Sequence, residues 1–404
     1  MKQQNYIIVL LGLLAAIGPF SIDMYLPAFP AIAADLKTSI SNVSLSLSSF
    51  FIGISAGQFI YGPLLDKVGR KKPLYGGLVI YCTASLACMF ASSANALIAL
   101  RLVQALGGCV GIVASRTIVR DLFTVSENAK IFSQLMLVIG ISPIVAPLFG
   151  SYITATLGWQ YIFLILALIS LVLLISVYFL LPESKPSEIA TFAVPDSGKN
   201  IFLTILKEPQ FYKYAISGSC SSACLYVYLA DSPFVFMKLY GMTEQHYGWI
   251  FAILAGGLIS ASQLNRLLLK RYKSEWIVRR ASLMHTLTAL ILFLSTLFGY
   301  LHLYGILLLI FILLSCQGFI SPNSSAQCMA PFSKNTGRAA ALLGSMQMFT
   351  GGFASLAVNL VKRHSILPMT TLLFCFSLLS FLVLRKSDII KKYFVLKIIN
   401  YLKP

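Results

Sequence analysis

The feature that most constrains this chain is a recurrent run of about 20 apolar residues, the length an α-helix needs to cross a hydrocarbon core of roughly 30 Å. Such runs fall at 6–28, 43–65, 74–94, 96–118, 131–154, 159–181, 209–232, 246–268, 278–300, 302–324, 339–361 and 366–384. A bilayer offers the backbone no water, and long apolar runs without period-two alternation satisfy their polar groups only as helices. The expectation is an all-α polytopic membrane protein with 12 transmembrane helices. Composition agrees, with 58% hydrophobic and 11% charged residues, where soluble domains carry roughly a quarter charged. A soluble enzyme, a secreted domain and a disordered chain are all excluded. The first run opens on Lys2 and holds Asp23 and Pro27 without a small-residue cleavage site, so it reads as a retained helix.

The net charge of +18 invites a nucleic-acid partner, and its distribution removes that reading. With the N-terminus in the cytoplasm, 26 of the 31 Lys and Arg residues fall on the cytoplasmic side. Lys37, Lys238, Lys362 and Arg363 fall opposite, and Arg101 lies inside a span. The positive-inside rule then places both termini of a multi-pass membrane protein in the cytoplasm. The lipid bilayer is its first partner, no nucleic acid is required, and the chain is expected to be a monomer.

The longest polar connection divides the spans six and six. The halves are 1–182 and 209–385, joined by a linker over 183–208 that holds Pro186, Pro195 and Gly198, and followed by a basic tail over 386–404. The tail is either a surface helix on the anionic leaflet or disordered. Phe51 to Asp66 and Phe251 to Arg266 share a phenylalanine start and a glycine, Gly57 and Gly257, at a constant offset. Helix 1 carries Asp23 near Pro27, and helix 7 carries Asp231 near Pro233. Two pseudo-symmetric halves with one intramembrane carboxylate each are what a duplicated transporter predicts. The eight cysteines fall in or beside apolar spans, and the histidines are scattered. No metal or cofactor is expected, and Cys220 with Cys224 reads as packing. Nothing suggests an enzyme: there is no nucleophile elbow and no phosphate loop.

Intramembrane charges are expensive, so Asp23, Arg101 and Asp231 are the candidates for proton coupling. Asp231 is equally open to a structural role. Arg101 and Gln104 share a helical face, assigned to the interior. Gly62 and Gly69 are read as permitting a tight turn, with Asp66 free to meet a helix N-terminus or a basic neighbour. In helix 5, Ser142, Ala146, Gly150 and Ser151 are small, and Pro143 and Pro147 bend the helix, so a close contact with helix 8 is expected.

The run Gly62-Pro-Leu-Leu-Asp66-Lys-Val-Gly69-Arg70-Lys71-Lys72-Pro-Leu74 resembles the loop 2–3 signature of the major facilitator superfamily. That resemblance implies its two-half fold, alternating access, and a gating latch built on Gly62, Asp66, Gly69, Arg70 and Lys71. Asn265-Arg266-Leu-Leu-Leu-Lys270-Arg271 is a worn copy without the aspartate and glycine. Arg101-Leu-Val-Gln104 is similar to the superfamily's helix 4 motif, and Pro143 to Gly150 looks like its antiporter motif, which implies export. Asp23-Met-Tyr-Leu-Pro27, Arg116-Thr-Ile-Val-Arg120-Asp121, Gly158-Trp159 and Ala230-Asp231-Ser-Pro233 together resemble the Bcr/CflA group of drug–proton antiporters. That group exports bicyclomycin, chloramphenicol and related molecules. The resulting expectation is a proton-coupled exporter of small amphipathic molecules such as antibiotics. The alternative is a dedicated transporter of a native metabolite such as a siderophore. In this fold helices 1, 2, 4, 5, 7, 8, 10 and 11 line the cavity, which nominates Tyr25, Tyr61, Gln104, Tyr226, Tyr228 and Gln347 as substrate-lining residues.

Overall fold

The structure is a computed structural model that describes residues 2–123, 125–184, 204–300, 302–332, 336–360 and 365–401. Among these, twelve long helices follow one another: α1 Lys2–Asp23, α2 Ile40–Val68, α3 Lys71–Met89, α4 Ala94–Leu122, α5 Val125–Thr156 and α6 Gln160–Leu180, then α7 Pro209–Ser232, α8 Glu244–Leu268, α9 Ser274–Leu297, α10 Leu303–Met329, α11 Thr336–Leu360 and α12 Leu367–Tyr401. Eleven are long and apolar enough by composition to cross a membrane. The twelfth, α3, is 19 residues long and opens on Lys71 and Lys72, which shortens its apolar length. It nevertheless packs along α4 and α6 as a full member of the bundle. Most of the 183–208 linker lies outside the described residues, as do Lys362 and Arg363. The tail continues α12 as helix to Tyr401.

Helix starts follow local chemistry. Ser39 and Ser93 cap α2 and α4 by accepting hydrogen bonds from the backbone N–H of Asn42 and Ala96 at 3.1 and 3.2 Å, which satisfies donors the first turn leaves orphaned. Helices in lipid gain little from hydrophobic contact with each other, so they associate by close packing at small residues. Gly53 and Gly57 of α2 sit against Ala105 and Cys109 of α4, where an added Cβ would come within 2.7 Å of each side chain. Gly111 of α4 lies against the Leu14 carbonyl of α1, and Gly150 of α5 against the Met24 carbonyl. The counterpart glycine of α8, Gly257, faces the Phe311 ring of α10, in the same second-to-fourth helix relation as Gly57.

Two compact units are present: Met1–Pro195 with Tyr228–Gly256 and Gly352–Ser365, and Asp196–Val227 with Gly257–Gly351 and Ile366–Pro404. They do not follow the six-and-six division, because ends of α7, α8 and α11 belong with the N-terminal helices. In the first unit, Ser44 Oγ of α2 donates to the Ala230 carbonyl at 2.7 Å, Ser48 and Ser355 share a hydroxyl contact of 2.7 Å, and Asn359 Nδ2 donates to Ser48 at 3.3 Å. In the second, Phe211, Tyr214, Val278, Ile320, Leu343 and Leu384 form one apolar core across α7, α9, α10, α11 and α12.

Candidate functional site

Both intramembrane carboxylates sit where a helix loses its regular form. α1 ends at Asp23, and the chain passes through Met24 and Tyr25 into a single 3₁₀ turn, Leu26–Ala28, and a short helix, Phe29–Asp35. Pro27 lies four residues after Asp23 and has no N–H to offer its carbonyl, so the α-helical ladder stops at the carboxylate. α7 ends at Ser232 and gives way to a π-helical stretch, Pro233–Leu239. Pro233 stands in the same relation to the Leu229 carbonyl. Broken helices of this kind are tolerated in membranes where they line a site.

Arg101 of α4 is fully enclosed, and its guanidinium is held by neutral groups. Nη1 donates to Gln104 Oε1 at 2.6 Å and Nη2 to the Ser21 carbonyl of α1 at 3.0 Å. The Phe50 and Tyr25 rings lie 4.1 and 4.5 Å from its Cζ, a cation–π cradle that offsets part of the desolvation cost. Gln104 Nε2 passes the network to Ser85 of α3 at 2.7 Å, and Ser21 Oγ meets the Tyr81 hydroxyl at 2.5 Å. The shared face of Arg101 and Gln104 does point inward.

Asp23 is 5% exposed. Among the described residues no cation lies within ion-pair distance of its carboxylate. Arg101 does not pair with it, because that guanidinium is occupied by Gln104 and by the Ser21 carbonyl two residues earlier on α1. Tyr228 of α7 and Tyr247 of α8 are likewise buried. Tyr247 of α8 shares a 2.8 Å contact with Ser232, and both tyrosine rings flank Phe251 at about 6 Å. Asp231 is buried on the same stretch of α7.

The loop 2–3 residues form a clasp whose partners lie in the N-terminal half. Arg70 Nε donates to Asp121 Oδ2 at the end of α4 at 2.7 Å, and Nη1 to the Leu65 carbonyl at 2.6 Å and to Asp66 at 3.3 Å. Glu183, just past α6, accepts from the backbone N–H of Arg70 at 2.9 Å and of Lys71 at 3.2 Å. It thereby caps the N-terminus of α3 with a negative charge. Burial works against the Arg70 charge, yet Asp121, Asp66 and Glu183 together hold its pKa above the ordinary arginine value. Gly69 has φ 105°, and a Cβ there would sit 3.2 Å from the Glu183 carboxylate, so the turn requires glycine. Gly62 is a correction: it lies inside α2 with open space around it, so Gly69 alone makes the turn. Asp66, 75% exposed in its side chain, contributes the weaker ion pair.

The α5 motif stays helical through Pro143 and Pro147. Ala146 is fully buried. The contact with α8 is present: a Cβ on Gly248 would lie 2.9 Å from Ser151 Oγ and 3.3 Å from the Pro147 carbonyl. Of the substrate-lining candidates, Tyr25 bonds Ser46 at 2.8 Å and, with Gln104, belongs to the packing around Arg101. Tyr61 and Tyr228 are buried. Tyr226 and Gln347 are half-buried in the second unit, where the Tyr226 hydroxyl approaches Met348 Sδ at 3.4 Å. Sequence reasoning missed Ser21, Tyr81 and Ser85 around Arg101, and the clasp roles of Asp121 and Glu183. The only signal for Glu183 was an acidic residue closing a span on the side of a basic loop.

Twelve packed helices, two of them broken beside buried carboxylates, and an enclosed arginine define a polytopic membrane transporter. The Major Facilitator Superfamily family model matches residues 11–356, and the chain belongs to that family: it is a transporter, not an enzyme. It is 31% identical over 382 residues to an uncharacterized MFS-type transporter, YdgK, of Bacillus subtilis, covering 92% of this chain and 93% of that one. It is 29% identical over 372 residues to a bicyclomycin resistance protein homolog of Haemophilus influenzae, covering 91% and 93%. The fold matches a crystal structure of a D-xylose-proton symporter with a TM-score of 0.74 at 14% identity, covering 94% of this chain and 96% of that chain.

Proposed function

We propose that this protein is a proton-coupled antiporter that exports small amphipathic molecules, antibiotics among them, across the bacterial inner membrane by alternating access. The observation that carries the reading is Asp23: a carboxylate enclosed at a helix break, with no cation within ion-pair distance among the described residues. Its charged form lacks both water and a counter-ion, so binding a proton relieves it, and a site that gains from a proton in one state and releases it in another is what coupling needs. Arg101 anchors the backbone two residues before Asp23 and acts on it through that anchor. The Gly150–Met24 contact ties the α5 motif to the same break. Resistance to bicyclomycin in the name of a relative points to drugs as the substrate class, and the siderophore alternative finds no support among the relatives above.

In the cycle, proton and substrate compete for the central region, Asp231 offers a second carboxylate, and the Ser44, Ser48, Ser355 and Asn359 contacts close the side opposite loop 2–3. The loop 2–3 side, with both termini, faces the cytoplasm, and the chain works as a monomer. One proton moving down about 100 mV supplies roughly 2.3 kcal/mol, enough for a gradient of about 50-fold. The test is efflux in proteoliposomes with an imposed proton gradient: Asp23→Asn is expected to abolish uphill transport and Asp23→Glu to keep part of it. Full uphill transport by Asp23→Asn would overturn the assignment.

A further inference from the structure

The stretch that follows Asp23 is a separate piece of structure. The regular ladder of α1 ends at the carboxylate, so the short helix Phe29–Asp35 is not held in line by α1, and tertiary contacts fix where it lies. α6 and the residue that opens it, Trp159, grip this stretch at both ends. At the near end the Phe163 ring lies 5.5 Å from Tyr25, which itself lies 4.9 Å from Phe29 and 4.5 Å from the Arg101 Cζ. At the far end Asp35 Oδ2 accepts from Trp159 Nε1 at 2.9 Å and from Gln160 Nε2 at 3.1 Å. Trp159 joins the two grips, because its ring meets Phe163 edge-on at 6.0 Å, one helical turn further along.

Trp159 is 3% exposed, and a buried indole N–H needs an acceptor. The acceptor here is a carboxylate that takes two charge-assisted bonds, and it closes the broken stretch rather than belonging to the loop before α6. The same short helix packs against Pro233–Leu239, the irregular stretch that follows Asp231. Its placement therefore bears on both carboxylate breaks. We propose that Asp35 is a positioning residue for proton coupling: by tying the end of the broken stretch to Trp159 and Gln160, it makes that stretch travel with α6 and keeps Tyr25 seated on Arg101. A discrete segment held at both ends by one helix is an element through which a remote contact biases a site. This rests on the export reading and adds to it a residue outside the Asp23 and Arg101 cluster.

The test uses the full chain in proteoliposomes with labelled bicyclomycin. It compares uphill transport driven by an imposed proton gradient with counterflow, in which substrate exchanges for substrate without net proton movement. Asp35→Ala is expected to lower uphill transport about tenfold and to leave counterflow within about twofold, whereas damage to the fold lowers both alike. Trp159→Phe keeps the ring and removes one donor, and is expected to cost about threefold in the uphill mode. Asp35→Asn keeps an acceptor for both donors and should stay within about twofold of wild type. In detergent, Asp35→Ala should raise amide hydrogen exchange over residues 29–38 about tenfold and leave α2 unchanged. Full uphill transport by Asp35→Ala, equal losses in both modes, unchanged exchange, or Asp35→Asn as inactive as Asp35→Ala would each overturn the positioning role. Wild-type protein that performs counterflow and ignores the proton gradient overturns the export reading and the coupling role with it, while the exchange comparison still decides whether Asp35 anchors the stretch.

Discussion

The N-terminal and C-terminal halves meet the same structural problems with opposite chemistry. Where the second helix turns into the third beside the end of the fourth, the N-terminal half uses charge: Arg70 on Asp121, with Glu183 on the α3 N-terminus. At the corresponding junction of α8, α9 and α10, Asn323 Nδ2 donates to Asn265 Oδ1 at 2.7 Å, and Ser274 Oγ donates to Asn323 Oδ1 at 2.7 Å. Away from the junctions the same contrast in charge is found at positions that do not correspond: Arg101 organises Gln104 and Ser21 in one half, and neutral Gln317 organises Ser221 and Ser222 in the other. At the two junctions the polar contacts between helices are similarly placed and differ in charge. Charged hydrogen bonds are individually stronger and more costly to strand than neutral ones, so the halves should tolerate damage differently.

The largest expected contrast is between the two deep residues. Arg101→Leu strands Gln104 Oε1 and the Ser21 carbonyl and empties the aromatic cradle. It should cost about 2–4 kcal/mol and eliminate efflux, given roughly 1.5–3 kcal/mol for a charged hydrogen bond. Gln317→Leu leaves only serine hydroxyls, which can bond their own helix, and should cost about 1–2 kcal/mol. Unfolding midpoints of the purified variants would decide it, and equal losses would break the contrast. Next in size are the junctions. Asp121→Asn should cost about 1.5–3 kcal/mol against about 1 kcal/mol for Asn323→Ala, read by the same midpoints. The smallest effect belongs to Asp66→Asn, since exposed ion pairs are worth about 0.2–1 kcal/mol and are screened by salt. A loss of transport far larger than that stability change would show that the exposed carboxylate works in the cycle rather than in the resting fold.

Much of this architecture was readable because a membrane-spanning helix announces itself by length and apolarity, and twelve spans emerge on that basis. α3 was placed by the pattern even though its two lysines weaken its apolar signal. Arg101 was nominated because charge inside a bilayer is rare, and Gln104 because helical geometry puts it one turn away. The partners of Arg101 were not legible, since Ser21, Tyr81 and Ser85 are ordinary residues of spans whose rotation only packing sets. The same limit applies to Gly62 and Gly69: both glycines fit a turn by type, and only the backbone shows that α2 runs on through Gly62. Loop 8–9 looked like an eroded signature, yet its junction is closed by asparagines and a serine that no charge pattern reveals.

The Glu183 cap has a consequence for the chain as a genetic object. Glu183 and Ser184 follow the last span of the first half in sequence, so they look like linker. In three dimensions they complete the first half, with Glu183 on the start of α3 and Ser184 reaching Asp121 at 3.4 Å. The boundary of the N-terminal module therefore lies beyond Ser184, two residues later than hydropathy alone would put it. Halves produced as separate polypeptides should reassemble when the break follows Ser184. A break before Glu183 would deliver an N-terminal fragment whose α3 begins uncapped.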